Sequence, residues 1–153
     1  MEYQIELESV YKQLGDSGII VLATSLEDIP TARSMSYVVV DGKICFQTES
    51  VMEKAVQMKQ NPNVALCQNN IAIKGTASCR GRILSEENAV IMELYKKRHR
   101  GSYDNYSHME KGELYEITPD FITVWTYIEG EPYRKYIDCR QSKARMEHYE
   151  HSK

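Results

Sequence analysis

The apolar positions of this chain change period along its length, and the changes mark its elements. Residues 2–15 carry Ile5, Val10, Tyr11 and Leu14 near one face at helical spacing, and Gly15 and Gly18 end the run. Residues 19–23 (IIVLA) form a continuous apolar run of strand length. Residues 25–30 read as a loop, and 32–40 and 43–48 as strands. Asp41-Gly42 between them is a strong hairpin signal. In the second of these strands Ile44 and Phe46 share one face, and Cys45 and Gln47 the other.

The chain from residue 50 opens a helix. Ser50 and Glu53 match a capping box, and Asn61-Pro62 closes the element. Further strands are predicted at 64–67 and 71–83, the latter bent at Gly75 and Gly81. Ser85 can cap a third helix to about residue 99, with Val90, Ile91, Leu94 and Tyr95 inward. Residues 101–112 read as a polar connection. Strands follow at 114–117, 121–128 and 133–137, separated by Thr118-Pro119-Asp120 and by the turn at 129–132. These are about seven strands and three helices, mainly β with flanking helices (α+β). Short links between strands imply a largely antiparallel sheet, and the strand number and spacing imply a barrel. Residues 1–138 form one domain, and 139–153 a charged C-terminal tail prone to fray.

Composition narrows the class. At 153 residues, 42% apolar and 27% charged, the chain can bury a core without staples. A net charge of −3 argues against a nucleic-acid partner, although residues 96–100 form a local basic run. The run most simply ends a helix whose dipole it complements. No apolar run approaches ~20 residues, so no membrane span is expected. The acidic N-terminus is unlike a signal peptide. Four widely spaced cysteines, three of them inside apolar runs, suit buried thiols in a reducing cytoplasm. The four histidines show no metal-ligand spacing on a firm element, although His148 and His151 stand three apart, so no metal site is expected. No Ser-His-Asp or Cys-His arrangement can be assembled, and no GxGxxG follows a strand.

The stretch 30–54 holds the candidate chemistry. A strand ends at Thr48 and a helix starts near Ser50, where unpaired N–H groups and the helix dipole favour an anion. Lys54 lies one turn inside. If Val40 pairs with Lys43, hairpin register places Arg33 opposite residue 50. Arg33, Thr48, the helix start and Lys54 then converge on one anion, with Arg as fork and Lys as point charge. The competing reading makes Arg33 and Lys54 solvated charges and Ser50 a plain cap.

The segments ARSMSYV, GKICFQT, Lys54 six residues after Thr48, and NPNVALC occur in the order and spacing seen in the pyridoxamine 5′-phosphate oxidase family. The chain resembles that family over residues 19–83, and more loosely through Trp125 and GEPYR. The resemblance implies an FMN-binding split β-barrel, usually a homodimer with two cofactor sites at the interface. It implies that Arg33 and Lys54 hold the FMN phosphate with Thr48 close by. Ser34, Met35 and Ser36 would run along the isoalloxazine, and Gln47 would lie beside the phosphate and ribityl chain. Asn70 matches a glutamine that contacts the flavin, and Trp125 a tryptophan that reaches the flavin of the other subunit. Tyr103 and Tyr106, which could equally pack the 101–112 connection, and Arg134 are candidates for contact with a small-molecule substrate. Glu53 stands where the family often has a second basic residue, and the Arg/His-rich C-terminal pattern is matched only by Arg134 and Lys135. Those departures, and the shorter chain, speak against vitamin B6 oxidation. The implied function is an FMN-dependent oxidoreductase. The alternatives are a haem-binding or haem-degrading split barrel, or a non-catalytic flavin-binding stress module.

Overall fold

Tight turns set the topology. Asp41 and Gly42 both take positive φ (52° and 72°), the twist that joins two antiparallel strands through two residues. Glu129 and Gly130 repeat it at 51° and 82°. Glu27 and Asp28 do the same at 52° and 63°, without a glycine, so the loop expected at 25–30 is a hairpin turn instead.

In the computed structural model, residues 1–150 are described. The strands are β1 (Ser17–Leu26), β2 (Ile29–Val40), β3 (Lys43–Glu49), β4 (Asn63–Gln68), β5 (Ile71–Arg82), β6 (Gly112–Ile128), β7 (Glu131–Asp138) and β8 (Lys143–His148). The helices are α1 (Tyr3–Leu14), α2 (Glu53–Gln60), α3 (Ala89–Arg98) and α4 (Arg100–Tyr106), with a 3-10 turn at Glu86–Asn88 before α3. The sheet order is β3-β2-β1-β4-β5-β6-β7-β8, and β3 also pairs with β6. That pairing closes six antiparallel strands into a barrel and leaves β7 and β8 as an extension. Closure removes the exposed edges of the six.

Two apolar cores follow. Ile20, Leu22, Ile44, Phe46, Leu66, Ile73, Tyr115 and Ile117 fill the barrel. A smaller core outside it joins Val38 and Cys45 to Ile91, Met92 and Tyr95 of α3. β3 is therefore buried on both faces, Ile44 and Phe46 inward and Cys45 and Gln47 under the α3–α4 pair.

Several expectations are corrected. β6 runs unbroken for 17 residues through Thr118-Pro119-Asp120, because Gly75 pairs with Pro119 and Lys74 with Phe121, which leaves Asp120 as the extra residue of a bulge on β6. The polar connection at 101–112 contains α4. Inside α3 the buried residues are Ile91, Met92 and Tyr95, while Val90 is exposed. Ile5 of α1 is exposed too. Charged residues past 138 supply β8, which pairs with β7 from Asp138↔Lys143 to Tyr133↔His148. His151 lies outside the described residues. Cys67 and Cys79 are exposed, and only Cys45 is buried, because period-2 alternation turns the first two outward. Among the described residues, no helix is long and apolar enough to cross a membrane.

Candidate functional site

The site is built where β2 and β3 part. Val40 does pair with Lys43, but the β2–β3 ladder stops at Val38↔Cys45. Beyond it β3 turns to β6, with Phe46↔Tyr115 and Thr48↔Glu113, and β2 turns to β1, with Arg33↔Leu22. Arg33 is thus not opposite residue 50. The helix start also moves: α2 begins at Glu53, its N-cap is Met52, and no side chain caps it. Ser50 instead donates its backbone N–H to Lys111 O at 2.8 Å.

Arg33 and Lys54 nevertheless meet, by a route through α2. Gln57 of α2 accepts from Thr24 Oγ1 at 2.5 Å and from Thr31 Oγ1 at 2.9 Å. Arg33 donates to the same two hydroxyls, at 2.8 and 2.5 Å, and to Leu22 O at 3.3 Å. The Thr24–Thr31–Gln57 cluster therefore fixes both the guanidinium and the helix that carries Lys54. Three residues of that cluster were invisible in the sequence, since isolated Thr and Gln carry no spacing signal. Burial lowers the proton affinity of Lys54, and the neighbouring Arg33 lowers it further. Burial also lowers that of Arg33, which nearby Glu53 partly offsets. Among the described residues neither cation is ion-paired. Lys54 Nζ touches only Met52 Sδ, at 3.4 Å.

Beside them opens a cavity of about 310 Å³. Ser34, Met35, Ser36, Gln47, Thr48 and Lys54 line one side. Met52, Ile83, Tyr95, Ser102, Tyr106 and Met109 line the other. Six of the nine expected cofactor residues are thus gathered, and Arg33 adjoins them. Larger clefts of about 860 and 520 Å³ exist, the first between the N-terminus and β8 and the second near Asp120 and Arg140. Each of the three has a carboxylate in its wall, Glu49 in this one, and what marks this one is the adjoining pair Arg33 and Lys54.

The remaining expected residues lie elsewhere in the protomer. Asn70 uses its amide at a turn, donating to Trp125 O at 2.6 Å and accepting from Gln13 Nε2 at 2.6 Å. Trp125 is partly exposed on the barrel's outer face, with the Arg134 guanidinium 3.8 Å from its ring centre. Tyr103 packs edge-on to His108 beneath Lys96 and does not line the cavity, whereas Tyr106 does. Two cations of the basic run are ion-paired, Arg98 with Asp16 and Arg100 with Asp104. Among the described residues no cluster of His, Cys, Asp and Glu could hold a metal.

No protein-family model and no curated protein matches the chain. Solved structures do. The heme storage protein HutZ from Vibrio cholerae shares 16% identity, with a TM-score of 0.63 over 81% of this chain and 95% of that one. A protein provisionally assigned as a pyridoxamine 5′-phosphate oxidase from Listeria innocua shares 17%, with a TM-score of 0.56 over 80% and 98%. An FAD-binding protein from Mesorhizobium loti shares 13%, with a TM-score of 0.59 over 77% and 90%. The chain has the pyridoxamine 5′-phosphate oxidase-like split-barrel fold. These structures include one described as FAD-binding and one described as a heme storage protein.

Proposed function

We propose that this split barrel binds FMN in the β2–β3–α2 cavity and is an FMN-dependent oxidoreductase acting on a small molecule. One observation carries the reading: Arg33 and Lys54 are neighbouring, partly desolvated cations, and among the described residues neither is ion-paired. Such a pair is stabilised by an anion with several acceptor oxygens, and a phosphate monoester supplies them. Arg33 is preorganised by Thr24 and Thr31 as the fork, and Lys54 supplies the point charge. Thr48 lies on the same wall. Ser34, Met35 and Ser36 offer a strand edge along which the flavin ring would lie. The bound flavin would supply hydride or electron transfer, and the chain orients it and excludes water.

A homodimer belongs to the proposal. Ile19, Val21 and Tyr127 expose apolar surface on the outside of the sheet, with Trp125 part of the same face. A second copy seated there would bring Trp125 and Arg134 toward the partner's cavity.

The likeness to HutZ favours a second reading, haem binding. The exposed His108 stands between the lining residues Tyr106 and Met109 and is the histidine placed to serve it. Absorbance separates the two readings. Titration with FMN should give bound flavin bands and quenched fluorescence at one site per chain. A Soret band on hemin addition with no FMN uptake would overturn the flavin reading. Reduction of the FMN-loaded protein by NADH or NADPH then tests whether it is an oxidoreductase or a binding module.

A further inference from the structure

Gln47 is the buried polar residue on the cavity wall that phosphate binding does not use. It is 8% exposed, and its Oε1 accepts from Ser107 Oγ at 2.6 Å, a residue 2% exposed. Its Nε2 donates toward Ser102 Oγ at 3.3 Å and Ser102 O at 3.4 Å. Tyr95 OH lies 2.9 Å from Ser102 Oγ and completes the group. One amide on β3 thus grips α4 near both ends, across 55 and 60 residues of sequence. The helix needs that grip, because none of its own seven residues is buried. Tyr106 and Met109 follow at its end and form the cavity wall with Met52 and Ile83. The charged lining residues are Lys54 and Glu49, both on the β3–α2 side.

We propose that Gln47 is a positioning residue: it latches α4 onto β3, and so fixes Tyr106 and Met109 as a wall that accepts an uncharged ring and not a charged group. The identity of the ring as a flavin rests on the FMN reading. The latch itself does not. In contrast to the cofactor contact that the family resemblance implies, both ends of the Gln47 amide are already engaged within the chain.

Hydrogen exchange on the ligand-free protein tests the latch. Gln47→Leu should speed amide exchange over residues 99–107 by about tenfold, the equivalent of a lost buried hydrogen bond. Ser107→Ala removes the same bond from the other side and should act alike. Combining the two should add little beyond either. Unchanged exchange in both variants, or fully additive effects, would overturn the latch. FMN dissociation from Gln47→Leu should also quicken by about tenfold. Binding of inorganic phosphate, which reads Arg33, Lys54 and the adjoining Thr48, should stay as it was. Loss of phosphate binding in step with FMN would instead make Gln47 part of the phosphate site and overturn the proposal. Wild-type protein that binds no FMN removes the flavin reading, and hydrogen exchange then decides the latch alone.

Discussion

Burial lowers the proton affinity of both Arg33 and Lys54, so a phosphate that restores their partners should bind with a matching gain. Arg33→Ala and Lys54→Ala should each weaken FMN binding by about 1.5–3 kcal/mol, read by fluorescence titration. Unchanged affinity in both would remove the phosphate site. The pH dependence follows from the same burial. A lysine with lowered proton affinity loses its charge earlier as pH rises, so FMN affinity should begin to fall below 10.5, the ordinary lysine value. Lys54→Arg should flatten that fall, since Arg stays charged throughout. At this scale the residue types were legible: Arg, Lys, Thr and Ser around a strand end pointed to an anion. Their partners were not, because Thr24, Thr31 and Gln57 meet only when α2 docks on β1.

At the scale of elements, two glycine and cap positions separate local from tertiary control. Ser50 looks like an N-cap, yet α2 starts three residues later and Ser50 is held by Lys111. Ser50→Ala should therefore cost well under the ~1 kcal/mol of a lost cap, measured by urea unfolding. A full cap-sized loss would show that the helix starts at Ser50 in solution. Gly75 sits where β6 crosses on β5. A Cβ there would meet Ile117 Cγ2 at 2.6 Å and Thr118 O at 3.0 Å. Gly75→Ala should cost about 1–3 kcal/mol by overpacking against that bend. A neutral substitution would mean that β6 can straighten. Pro119 normally interrupts a ladder, which splits 112–128 into two strands on sequence grounds; a bulge at Asp120 of β6 is what lets one strand pass.

At the scale of the whole molecule, the buried Cys45 and the partly buried Tyr11 tie stability to alkaline pH. Burial pushes the Cys45 thiol from 9.0 to about 12 and the Tyr11 phenol from 10.0 to about 12. Above pH 9 the unfolded chain sheds these protons before the folded one, so the folded state binds more protons and its stability falls as pH rises. Urea midpoints should be level from pH 7 to 9 and drop from 9 toward 12. A midpoint that held steady to pH 11 would refute the burial of both groups. The outer sheet face makes a separate prediction. Val21→Lys should convert the proposed dimer to monomer in sedimentation, since a charge would be buried at the interface. A wild-type monomer would overturn the shared-site proposal.

The sequence by itself determined whatever depends on neighbours a few residues apart. Period-2 alternation and the Asp41-Gly42 turn placed β2 and β3 in register at Val40↔Lys43, and the motif order from Arg33 to Lys54 pointed to a split barrel. Only the tertiary structure decided what barrel closure imposes. Pairing β3 with β6 pulls Thr48 away from β2, and α2 brings Lys54 back to Arg33 by another path. The same closure lays α4 across Gln47, sixty residues distant from Ser107. Local preference sets where the chain extends or turns within a few residues, whereas register between distant strands is chosen by which pairing buries the most apolar surface and leaves no edge open.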